Sequence, residues 1–342
     1  MTATIEAGVG HVHQVKQAAA GTIEPVGSTY KHMRKVGDKA MKAAKTYGSE
    51  EWVDGETFGT PGQYVDSIGG DVGGFIFQVQ PETGGFSAAQ VVGSDVVTGA
   101  SDPYTHTIAT SSAQGPVQTV RSTTGVNVGP FAQGWGDAMV NKWAFNCGQD
   151  QKIAHIDQDF MALKAAVWAT SSPSAADSGT DPFNWAEVTG ALTIDATAFP
   201  EIDGETVEVD RKLDVHRGDA PSPVCFVYGK GEINRTFSAL VTDSTIAVMK
   251  SILYGSTSPS HGDAVTSTVS YVALESLYTR SANRTFKITT PKVAVSPADF
   301  EVFPRAEGGK IPVAFGGTCL KSGSTAAMTI VAKTADATSY VA

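Results

Sequence analysis

Apolar and polar residues alternate with a period of two along much of this chain, which is the spacing of half-buried β-strands. Residues 139–145 alternate, the polar run NCGQDQ follows as a turn, and residues 152–160 alternate again, so a long hairpin is predicted. In its second strand Ala154, Ile156 and Phe160 share one face, while His155, Asp157 and Asp159 share the other. One face is therefore core and the other wet. Further alternating runs at 191–194, 206–210, 224–228, 236–241, 268–272, 285–289 and 328–332 are punctuated by Asp203-Gly204, Gly229 to Gly231, Gly308-Gly309 and Gly323.

A 3.6-residue period is rarer. Residues 244–254 carry an apolar stripe of Ile246, Met249, Ile252 and Leu253, with Asp243 or Ser244 as N-cap and Gly255 as C-terminal stop. This helix is short and one-sided, so it should pack on a sheet. Weaker helical patterns cover residues 86–92 and, despite Gly37, residues 31–47. The stretch SSPSAADSGTD at 171–181 reads as a loop between two β-rich halves. The fold class expected is all-β with one or two short helices, and the 36 glycines agree by favouring turns and strands.

The 342 residues, 41% hydrophobic and 18% charged, are enough for a sizeable core and too apolar for a disordered tail. The opening MTATIEAGVGHVHQ lacks a basic start followed by an apolar stretch. No later apolar run approaches the roughly 18 residues of a membrane span, so a soluble compartment without membrane insertion is expected. Cys147, Cys225 and Cys319 are odd in number and widely spaced, which predicts small buried apolar residues and neither a disulfide framework nor a zinc site.

Charge is distributed unevenly around a net of −10. Lys31, Arg34, Lys35, Lys39, Lys42 and Lys45 crowd one short segment; residues 46–120 then contain no Lys or Arg, and Lys164 is the only base in residues 153–210. Tight nucleic-acid binding needs the opposite balance, because Lys and Arg supply affinity for phosphate. The basic segment reads either as a solvated helix or arm, or as an arm that docks on an acidic neighbour.

Catalytic signals are poor. Gly308-Gly309-Lys310 is followed by Ile311, where a phosphate-binding loop needs Ser or Thr. Gly85-Phe86-Ser87-Ala88-Ala89 lacks the second glycine of a nucleophile elbow. His11 and His13 fall on one face of a strand, yet no third ligand follows at metal-binding spacing, so a solvated arm is expected. Glu208 and Asp210 alternate with Val207 and Val209, as the polar face of a strand does, although the run 201–214 is rich enough in carboxylates to suggest paired acid and base groups. No cofactor is expected.

From about Lys31 to the C-terminus, GETFGTPGQYVDSIGGDVGG leads into QPETGGFSAAQVVG and then into a Tyr104-Thr105-His106-Thr107 strand; the hairpin GDAMVNKWAFNCGQDQKIAHIDQDF follows. PFNWAEVTGALTIDATAFPEIDGETVEVDRKLD and VYGKGEINRTFSALVTD, with the short helix after it, come next. This order of segments resembles the major tail-tube proteins of long-tailed phages, especially those of actinobacterial hosts. Departures are a longer chain, a longer basic N-terminal segment, and Asp210-Arg211-Lys212 where Asn is more usual.

The resemblance implies an N-terminal arm over 1–30, a β-sandwich over 31–330 and a C-terminal strand or tail over 331–342. Inner strands would join those of neighbouring subunits into a barrel, in stacked and expectedly hexameric rings through which genomic DNA passes without tight binding. Tape-measure, tail-terminator and distal tail proteins are the implied partners, and the virion, assembled in the host bacterial cytoplasm, is the implied location. His155, Asp157 and Asp159 are candidates for the lumen wall, with Glu208 and Asp210 as competing candidates. The basic segment is the candidate contact between rings. A β-rich decoration protein or adhesin would share this composition, and a glycan-active enzyme would require two convergent carboxylates in a cleft.

Overall fold

A computed structural model describes residues 10–37, 39–42, 45–50, 62–68, 70–112, 114–124, 131–164, 167–169, 173–188, 192–219, 222–260, 263–264, 269–295 and 312–341. The chain runs through β1 (Gly10–Lys16), β2 (Lys31–Met33), β3 (Lys35–Val36), β4 (Met41–Lys42), β5 (Lys45–Glu50), β6 (Gly62–Ile68), β7 (Asp71–Gln78), α1 (Pro81–Val92), β8 (Val96–Thr98), β9 (Tyr104–Ala109) and β10 (Gln118–Thr124). It continues through β11 (Phe131–Gly148), β12 (His155–Ala162), β13 (Val167–Ala169), β14 (Thr193–Ile194), β15 (Thr197–Ala198), β16 (Ile202–Asp210), β17 (Leu213–His216), β18 (Cys225–Tyr228) and β19 (Glu232–Leu240). Then come α2 (Asp243–Tyr254), β20 (Tyr271–Ser281), β21 (Arg284–Val295), β22 (Pro312–Cys319) and β23 (Thr329–Thr334). The all-β class with two short helices is thus observed.

One layer has the spatial order β7, β12, β11, β16, β19, β22, every pair antiparallel. β22 also pairs with the end of β21, and there the sheet turns over into a second layer, in which β21 lies between β20 and β23, and β23 leads to β9 and β8. The N-terminal half of β11 pairs instead with β10, which carries β1 and β2. The expected hairpin is present as β11 and β12, with Phe145 opposite Ile156 and Lys142 opposite Asp159. Strands from both sides of the 171–181 loop pair with one another through β11 and β16, and its described residues 173–180 have no regular structure.

The layers meet over an aromatic core. Phe145 of the first stands 5.3 Å from Tyr278 and 5.6 Å from Phe286 of the second, ring centre to ring centre. Through this core runs a buried polar pin. Arg235 of β19 donates to Glu205 of β16 from Nε at 3.0 Å and from Nη2 at 2.7 Å, and both side chains are fully buried. The same guanidinium reaches across to the Leu274 carbonyl, the Ser276 hydroxyl and the Thr290 hydroxyl, while Tyr278 donates to the second Glu205 oxygen at 2.7 Å. A charge pair out of water persists only where its remaining hydrogen-bonding capacity is met, and here both layers meet it.

α1 begins five residues earlier than its sequence pattern suggests, because Pro81 sits at its first turn, where no N–H is needed, and the Gln80 N–H donates to Thr83 Oγ1 at 3.3 Å. The glycines inside it lower helix propensity but permit close packing: a Cβ on Gly84 would lie 2.8 Å from Val79, and one on Gly85 3.0 Å from Ala332. α2 starts one residue earlier than expected, capped by Thr242, and ends at Gly255 with φ 71°. It buries Thr245, Met249 and Ile252, as a one-sided helix should.

The helical reading of residues 31–47 is wrong. β2, β3, β4 and the start of β5 occupy that segment, with Gly37 at φ 70° between β3 and β4. Pairing along β1 and along β7 offers the backbone more than an isolated basic helix would, so tertiary context overrides the 3–4 spacing of the lysines. Of the cysteines, Cys147 and Cys319 are buried as expected, whereas Cys225 is exposed, because it lies opposite exposed His216 in the β17–β18 ribbon.

The chain end is tied down by buried His106 of β9. Its ring stacks on Tyr340 at 4.2 Å, Nδ1 lies 2.9 Å from Asp95, and Nε2 lies 2.9 Å from the Asp336 carbonyl. Burial opposes the imidazolium, but the hydrogen bonds to Asp95 and Asp336 and their charges raise its pKa above the ordinary 6.5. The groups facing it are Asp95, Asp336, which also pairs with Lys31, and Tyr340, whose phenol burial keeps neutral. Stability carried by protonated His106 is therefore complete below 6.5 and lost as pH rises through the raised value. Hydrogen exchange at residues 336–341, corrected for intrinsic rate, is expected to quicken through that window in the native chain and to lose this pH dependence in His106→Gln. Equal protection at all pH values in the native chain would refute it.

Candidate functional site

The β-register converts scattered sequence positions into one surface. Side chains directly opposite on neighbouring strands point to the same side, so the face of the first layer turned away from the core is built from three cross-strand rows. His155 (β12), Asn146 (β11), Thr206 (β16) and Thr236 (β19) form the first. Asp157, Ala144, Glu208, Asn234 and Thr318 (β22) form the second. Asp159, Lys142, Asp210 and Glu232 form the third. The two sets expected to compete for the lumen therefore lie on one continuous face. The opposite phase of the same strands, including Ile156, Phe160, Val207 and Phe237, is buried.

This face is polar but not a bare acidic wall. Lys39, from the turn between β3 and β4, places Nζ 2.6 Å from Asp157 and 2.7 Å from Asp159. Partial burial works against the Lys39 ammonium, and the two carboxylates more than offset this, holding its pKa above the ordinary range. Asp210 is nearly buried and lies 2.9 Å from Lys212 and 3.4 Å from Lys142; burial raises its pKa, yet the hydrogen bonds from Lys212 and the charge of Lys142 leave it below the ordinary range. His155 has its pKa lowered by burial, so its ring is neutral at physiological pH. Thr206 donates to Asn146 at 3.0 Å and Thr318 to Asn234 at 3.1 Å, which fills the face between the charges.

The basic segment is engaged within the subunit. Lys31 pairs with Asp336 at 2.6 Å, Arg34 with Asp177 at 2.8 Å and Lys39 with the two aspartates above. Lys35 lies 5.7 Å from the Phe75 ring centre, and Lys42 is exposed. The side chain of Lys45 lies outside the described residues. These pairs could not be read from sequence, because each joins residues more than 100 positions apart.

Of the catalytic candidates, Ser87 is fully buried in α1, and its hydroxyl accepts from the Trp143 indole at 2.9 Å. Gly308-Gly309-Lys310 lies outside the described residues. Glu205, in the carboxylate-rich run, is the core partner of Arg235. Sequence reading missed that pair, although it left a signal: Glu205 shares the apolar phase of β16 with Val207 and Val209, and Arg235 shares that of β19 with Phe237 and Ala239.

The described residues define an antiparallel two-layer β-protein with one polar sheet face. Residues 10–258 match the phage tail tube protein family, and the chain belongs to that family. It is accordingly a structural component of a phage tail and of the virion, in a family whose tubes are self-assembled. No curated protein matches the chain. No described helix is long and apolar enough to cross a membrane.

Proposed function

We propose that this subunit closes with copies of itself into rings, expected to be hexameric, which stack into a tube for DNA passage, with the polar face of β12, β11, β16 and β19 turned to the channel. The observation that carries the reading is the convergence of Asp157, Asp159, Glu208 and Asp210 on one sheet face. Five carboxylates there, counting Glu232, stand against the ammonium groups of Lys39, Lys142 and Lys212. The surplus repels phosphate, and the lysines keep the carboxylates together at tolerable cost.

The edges support closure. Among the described residues β7 is bordered on its outer side by β3 and β4, two residues each, so this edge of the sheet ends in short strands that a neighbour's strand could extend. A heterologous contact that closes in the plane makes a ring, and a second along the axis makes a stack. Contact between rings through the basic segment would fall to exposed Lys42 and to exchange of the existing Lys31, Arg34 and Lys39 pairs. No catalysis or cofactor is part of this reading. Tape-measure, terminator and distal tail proteins would bound the tube, which would be assembled in the host cytoplasm.

Purified subunit is expected to give rings, and tubes at higher concentration or with tail initiators, in negative-stain microscopy. A sharp monomer throughout its soluble range in the ultracentrifuge, with no tubes even when initiators are added, would overturn the reading.

A further inference from the structure

The pairing of β1 with β2 assembles three histidines that lie apart in sequence. His13 is directly opposite His32, and His11 shares the face of His13 two residues earlier. Ring centres are 5.1 Å apart for His13 and His32, 5.0 Å for His11 and His32, and 6.4 Å for His11 and His13. His11 Nδ1 stands 2.9 Å from His32 Nε2.

The nitrogens that remain are informative. His13 is 3% exposed, and its Nε2 donates to the Ala175 carbonyl at 3.2 Å, which leaves Nδ1 as a lone pair. That Nδ1 is buried without a partner, and so is Nδ1 of His32. A backbone acceptor that fixes one ring nitrogen and leaves the other as a lone pair is the arrangement found behind metal-ligating histidines. Two orphaned imidazole nitrogens in one cluster are better matched by an electrophile than by further donors of the protein.

We propose that His11, His13 and His32 form a capture site for a divalent transition-metal ion of the zinc, nickel or copper type, which clips β1 to β2. Imidazole is the ligand class these ions take, and two histidines brought together by strand register need only one more donor, or water, to hold one. Among the described residues no three such side chains are already gathered around one point, so capture requires exposed His11 to turn toward the other two. Burial and the neighbouring imidazoles push the His13 pKa down to about 4, so its ring is in the neutral, ligating form at physiological pH. Arg34 and Arg121 flank the cluster and add positive charge, but they are held by Asp177 and by Tyr30 with the Glu24 carbonyl.

The test is titration of Zn²⁺ into the chelator-treated full chain, without a polyhistidine tag, by calorimetry and by nitrogen-15 spectra of the histidine rings. The expected result is one saturable equivalent, a change in the ring nitrogens of His13 and His32, and slower hydrogen exchange at Val12 to Gln14. His32→Gln should weaken binding by about a hundredfold or more. Exposed His11→Gln, which leaves the fold undisturbed, should weaken it as well. Absence of binding, or binding equally tight in both variants, would overturn the proposal and leave the cluster a packing feature with neutral rings.

Discussion

Arg235→Ala is expected to lower folding stability by about 3–5 kcal/mol, the largest effect of any single side chain outside the aromatic core. The loss arises from what the substitution leaves behind: Glu205 stays buried between β16 and β20, keeping Ser276 and Tyr278 as donors but losing its counter-charge. The carbonyls of Leu274 and Ile288 lose the donor they share. Glu205→Leu combined with Arg235→Met should recover most of the loss, because removing both charges spares the desolvation that removing one exposes. Denaturant titration of the three variants measures this as a cycle. A loss below about 1 kcal/mol for Arg235→Ala would mean that water reaches the pair and that the two layers are not pinned there.

The second large effect concerns DNA passage and rests on the proposed orientation. Asp157→Lys with Asp159→Lys removes both partners of Lys39 and adds two ammonium groups beside it. The face then carries more positive than negative charge. Tubes should still form, because these residues lie on the polar side of β12 and the buried phase is unchanged. DNA ejection should slow markedly at low salt and recover as salt rises, since each phosphate contact contributes a slope of about −0.9 in log K against log salt. The Asp157→Asn, Asp159→Asn control frees Lys39 alone and should fall between. Normal tubes with unaltered ejection at low salt would place this face on the outside of the tube.

Much of the fold was legible because strand periodicity is a local property. The alternation in residues 154–160 assigned Ile156 and Phe160 to the core and His155, Asp157 and Asp159 to the wet side, as β12 shows. α2 was readable from its stripe and its glycine stop for the same reason. α1 was half hidden, because Gly84 and Gly85 look like turn residues until the strands they lie on are known. Residues 31–47 misled, since lysines every three or four positions imitate a helical face whatever the backbone does.

By itself, the sequence determined the class of the protein: an all-β chain with a wet and a dry face to its strands, acidic in net charge, and ordered like the tail-tube family. Only the tertiary structure decided which residues meet. Register placed Glu208 and Asp210 beside Asp157 and Asp159 on one surface, gave Lys39 to those aspartates, joined Arg235 to Glu205 inside the core, and set His32 against His11 and His13. The physical reason is that alternation specifies the side of a strand a residue takes and nothing about its neighbour. Neighbours are set by the pairing of distant strands, whose energy lies in the packed core.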